Sequence, residues 1–93
     1  MNKINLVFDQ TLTCLVGNQF GYNIYLKQIK ENLNEEKNLI IFPNEIERVA
    51  ISFVQGMFRD LIAKYGKEDI FKYLDISAKD EKIRNKIIES IKF

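Results

Sequence analysis

Ser52-Phe53-Val54-Gln55-Gly56-Met57-Phe58-Arg59-Asp60-Leu61-Ile62-Ala63-Lys64-Tyr65-Gly66 is the stretch that decides the fold class. Val54, Met57, Phe58, Leu61, Ile62 and Tyr65 recur at helical spacing, so one face of an amphipathic helix turns toward a core. Ser52 and Gln55 stand three apart, the spacing of a capping box, which predicts Ser52 as the N-cap. Gly66 takes the position of a left-handed C-terminal cap. Upstream, Leu39-Ile40-Ile41-Phe42 is too short for a helix and has no polar position. It reads as a strand buried on both faces, stopped where Pro43 lacks a backbone donor. Downstream, Phe71 to Ile76 reads as another strand. Strand, helix and strand in sequence favour parallel pairing through a right-handed crossover.

Further outward, Tyr22, Tyr25, Leu26, Ile29 and Leu33 fall on one helical stripe, with Lys27, Lys30, Glu31 and Asn32 opposite. Asn34 to Asn38 reads as a polar loop. At the amino end, Ile4, Leu6 and Phe8 form the apolar side of a strand and Asp9-Gln10 turns the chain. Leu12, Cys14 and Val16 then alternate in a second strand that ends at Gly17-Asn18, and so short a connection predicts a hairpin. At the carboxyl end, Ser77 and Asp80 open a last helix. Ile83, Ile87, Ile88 and Ile91 face inward, and Lys79, Lys82, Lys86 and Lys92 outward. The expected order is β-β-α-β-α-β-α, an α/β fold with a mixed four-stranded sheet and three helices in a single domain spanning residues 1–93.

Composition narrows the function. Hydrophobic residues make up 46% of the chain and charged residues 29%, an ordinary globular balance. Fourteen Lys plus Arg against thirteen Asp plus Glu leave a formal charge of +1, without the basic excess that nucleic-acid binding draws on, so no DNA partner is expected. There is no histidine and one cysteine, which removes the commonest general base and zinc ligand and any intrachain disulfide. No apolar run approaches the ~20 residues that span a bilayer, and the amino terminus lacks a signal-peptide core, so the chain reads as cytoplasmic and non-membrane.

Gly17-Asn18-Gln19-Phe20-Gly21 before a helix, Asn38-Leu39-Ile40-Ile41-Phe42 as a buried strand, and Ile46-Glu47-Arg48-Val49-Ala50-Ile51-Ser52-Phe53 leading into the central helix together resemble the STAS-like family of small bacterial proteins. The broader STAS fold is that of sulfate-transporter and anti-sigma-factor-antagonist domains. The most specific piece is the Ser52-Phe53 pair at the start of the second helix. The resemblance implies a non-enzymatic regulatory domain that docks on a partner protein, an ATP-binding kinase-like regulator being the class it suggests. In anti-sigma antagonists the loop before this helix carries a phosphorylated serine beside an acidic residue and a glycine. Here Ala50, Ile51 and Phe53 occupy the other signature positions and only Ser52 matches.

Each candidate residue also has a plain structural reading. Ser52 reads as a helix cap, Gly17 to Gly21 as a strand-to-helix turn without the Lys-Ser/Thr of a phosphate loop, and Cys14 as a small core residue. Glu45 with Glu47, and Glu35 with Glu36, read as solvated loop carboxylates. The lysines of the last helix, interleaved with Asp80, Glu81 and Glu89, read as a solvated face. No calcium-loop spacing is present, and no metal or cofactor is expected. The expected partner-binding surface is the loop and first turns around Glu45, Arg48, Ser52, Gln55 and Arg59, with self-association left open. A second functional reading is a small phage- or mobile-element-encoded inhibitor of a host machine, such as an anti-CRISPR. It rests on size, missing catalytic groups and an abundance of Ile, Lys and Asn, residues whose codons are AT-rich.

Overall fold

Five strands and three helices follow one another as β1 (Asn2–Asn5), β2 (Cys14–Leu15), α1 (Asn18–Ile24), β3 (Asn38–Ile41), β4 (Arg48–Val49), α2 (Ile51–Tyr65), β5 (Leu74–Ser77) and α3 (Glu81–Lys92). They are seen in a computed structural model that describes all 93 residues. β1, β3 and β5 form a three-stranded sheet in that order, and β2 pairs with β4 in a separate two-stranded one. Every pairing is parallel.

The expected hairpin does not form, and with it the mixed four-stranded sheet is replaced by two all-parallel sheets. Asp9 does turn the chain, its carboxylate accepting from the Thr11 N–H at 2.9 Å. The segment beyond the turn nevertheless leaves β1 and joins β4, while β1 pairs with β3 from Asn2↔Asn38 to Asn5↔Ile41. That pairing puts Ile4 and Leu6 into the same core as Ile40 and Phe42. The alternation in the second run has the opposite phase to the expected one. Leu15 is fully buried opposite Val49, whereas Cys14 beside Arg48 is exposed and Val16 is 58% exposed. Cys14 is therefore not a core residue.

Register makes the sheet two-faced. The row Ile4, Ile40 and Ile76 is buried under the helices, and the adjacent row of Lys3, Leu39 and Asp75 lies on the other side, exposed or half-buried. Burial of the central strand on both faces is thus only partly realised. Phe71 is not in a strand: a 3-10 turn covers Asp69–Lys72 before β5 begins at Leu74. Asn38, read as loop, instead starts β3. Its buried amide accepts from Asn34 N and Asn2 Nδ2 and donates to carbonyls including that of Tyr73, so no polar atom is stranded.

Side chains occupy backbone groups just past the end of β1 and along the β5 edge. The Gln28 amide bonds the Val7 N–H and C=O, each at 2.8 Å, as a neighbouring strand's peptide would. On the far side, Arg84 Nε donates to the Ile76 carbonyl while Asp75 accepts from the Ile76 N–H and from Arg84 Nη2, again at 2.8 Å each. Blocking an edge in this way discourages unwanted strand addition.

α2 runs through the centre, burying Phe53, Val54, Gly56, Met57, Phe58 and Leu61. α3 buries Ile83, Ile87 and Ile91, and Asp80 caps it by accepting from Ile83 N at 3.0 Å. α1 begins at Asn18, inside the stretch expected to be a turn, and passes into a π-helical turn, Tyr25–Ile29, and a 3-10 turn, Lys30–Asn32. No helix is long and apolar enough to cross a membrane. The Cα radius of gyration is 11.9 Å, close to the ~12 Å of a compact domain this size.

Candidate docking surface

The stretch from Gly17 to Gly21 meets the start of α2. Gly17, just before α1, donates its N–H to Ser52 Oγ at 3.0 Å. Phe20 lies edge-on to Phe53 with ring centroids 5.4 Å apart, and Phe8 joins them at 6.2 Å from each. A methyl on Gly21 would overlap the Phe53 carbonyl, and one on Gly56 the Asn18 carbonyl. The helices therefore touch backbone to backbone, and glycine is required at both crossings because any Cβ would hold them apart.

Ser52 is not the N-cap. That position is Ala50, which has no side-chain cap bond, and Ser52 stands inside the first turn of α2 with its hydroxyl turned to Gly17. The capping box with Gln55 is accordingly absent. The spacing matched, but a long-range donor competes for the serine oxygen. Gly66 does terminate the helix, though not in the expected left-handed helical conformation: at φ 85° and ψ 159° it is extended, in a region open essentially to glycine.

The five expected docking residues do not form one patch. Ser52, Gln55 and Arg59 follow one another along α2 at helical spacing, Ser52 and Gln55 half-buried and Arg59 exposed. Arg48 instead lines a groove of about 860 Å³ against α3, with Cys14, Lys82, Lys86 and Glu89. Glu45 lines a different groove, beside Leu6 and Phe8.

Around Arg59 the surface is ordered. Its guanidinium carbon lies 3.9 Å from the centroid of the Tyr22 ring, and its Nε is 3.7 Å from Asp60 Oδ1. The Tyr22 hydroxyl donates to Asp60 Oδ2 at 3.0 Å, and its ring stacks on Tyr25 at 6.0 Å. Burial, reinforced by the Asp60 charge, pushes the Tyr25 phenol above its ordinary value. Tyr25 therefore stays a neutral phenol at neutral pH. Such an arrangement presents a flat cation over an aromatic ring. Sequence reading placed Tyr22 on an apolar stripe and passed over Asp60. The two stand 38 residues apart, beyond the reach of any local period, and the signal the sequence does carry is Gly56 inside an otherwise regular helix.

Comparison with family models, with curated proteins and with solved structures finds no match to this chain.

Proposed function

We propose that the chain is a STAS-like regulatory domain that acts by binding another protein, through the α1–α2 face centred on Tyr22 and Arg59. The observation that carries the docking reading is the Tyr22–Arg59–Asp60 unit. Tyr and Arg dominate binding hot spots because each offers a large contact area with a polar end. Here they are held by one another before any partner arrives, which lowers the ordering cost of association. Support for the STAS-like reading is the contact between two of its three segments, Gly17 with Ser52 and Phe20 with Phe53. The partner class it implies is a cytoplasmic regulator of the ATP-binding kinase-like type.

The test is affinity capture from the native host, with wild-type protein and the Arg59→Ala variant immobilised side by side. A partner retained by the wild type should bind the variant at least about tenfold more weakly, the loss of a hot-spot arginine. Identical captured sets, with both proteins folded, would remove the α1–α2 face from consideration.

A further inference from the structure

At the carboxyl ends of β1 and β3, a groove of about 490 Å³ opens between the Leu6–Leu12 segment and the Pro43–Ile46 turn. Its floor is the buried pair Leu6 and Ile46, and its walls include the half-buried Phe8, Leu12 and Pro43. The volume falls within the roughly 300–1,000 Å³ typical of ligand pockets. Open parallel sheets receive ligands beyond their strand carboxyl ends, where the loops diverge.

The charge around this groove has one sign. Asp9 and Glu45 stand exposed among the lining residues, and no lysine or arginine is there. Neither carboxylate belongs to any of the ion pairs, which are Arg59–Asp60, Lys72–Asp69, Lys79–Glu47 and Arg84–Asp75. Asp9 is also fixed in place, accepting from the Thr11 N–H at 2.9 Å and from the Thr11 hydroxyl at 2.8 Å. These bonds hold its carboxyl below the usual range, so it is ionised at neutral pH. Phe8 is braced by Phe20 and Phe53, so the wall of the groove is continuous with the α1–α2 joint.

We propose that this groove receives a segment of a partner protein in which an apolar side chain is flanked by lysine or arginine. The apolar side chain covers Leu6, Phe8, Leu12 and Ile46, and the flanking cations meet Asp9 and Glu45. An acidic segment meets two unpaired carboxylates and is repelled. This rests on the docking reading and adds the partner's chemistry at a second contact region. The two fail separately, because Arg59 does not line the groove.

Random short peptides displayed on phage are selected on immobilised wild-type protein, and the enriched peptides are synthesised with a fluorescent label for anisotropy titration. The enriched set should pair Leu, Ile or Phe with Lys or Arg. Binding should weaken by about tenfold or more in Glu45→Lys, and less in Glu45→Gln, as a contact between opposite charges is reversed or neutralised. Glu68→Lys, the same charge reversal at an exposed residue outside the groove, should bind these peptides as the wild type does, and melting curves should show all three variants folded. An enriched set without basic residues, no enrichment, or equal binding by Glu45→Lys would overturn the groove's assignment while leaving the Arg59 face untouched.

Discussion

Ser52 and Asp75 show how a single side chain's job depends on what lies beside it. A serine three residues before a glutamine is a cap by local rules, yet the Ser52 hydroxyl accepts from Gly17 and joins two helices. Asp75 carries a comparable double role at the β5 edge. Burial pushes its carboxyl up, but the Ile76 N–H and the Arg84 guanidinium together outweigh this and hold it below the ordinary aspartate value. A carboxyl depressed in the folded state stabilises the fold above its unfolded pKa of about 3.9, and that contribution is lost as pH falls through the lower folded value. Thermal midpoints of the wild type should therefore fall more steeply below about pH 4 than those of Asp75→Asn. Parallel curves for the two would mean that the Asp75–Arg84 clasp does not stabilise the edge.

At the scale of elements, the contact of α1 with α2 is the feature on which the candidate surface depends. Alanine in place of a helical glycine ordinarily gains up to about 1 kcal/mol, since glycine loses more backbone freedom on folding. Gly56→Ala and Gly21→Ala should show the opposite sign here, because each new methyl overlaps a backbone carbonyl of the other helix. A loss of about 1–3 kcal/mol is expected, as for overpacked cores. Urea denaturation reads it directly, and a stabilised Gly56→Ala would mean the helices do not touch. Legibility also differed between elements. α2 and α3 were legible because their apolar residues repeat over several turns, at Val54, Met57, Phe58 and Leu61 and at Ile83, Ile87 and Ile91. β2 and β4, two residues each, are too short to carry a period.

For the whole molecule, one core of 21 buried apolar residues connects the strands to all three helices, with Phe58 fully buried in it. Phe58→Ala should cost about 3–5 kcal/mol, a large share of the 5–15 kcal/mol that holds a domain together. Arg59→Ala, one residue along but exposed, should cost no more than about 1 kcal/mol, the scale of the exposed cation–π contact it loses. Equilibrium unfolding of the two variants compares buried and exposed faces of α2 within one turn. The α/β class, the three helices and the inward face of α2 were determined by the sequence itself, because a helical period is local and names its buried side without reference to any partner. Strand partners were decided only in three dimensions. Leu12 to Val16 suits a hairpin as well as a parallel edge, and the choice went to the arrangement that buries Leu15 against Val49 while β1 buries Ile4 and Leu6 beside β3. The same holds for the candidate site. Residue types named Glu45, Arg48, Ser52, Gln55 and Arg59, but which groove or face each one joins follows from how the helices and loops cross. That crossing is set by contacts between residues far apart in the chain, which no local period records.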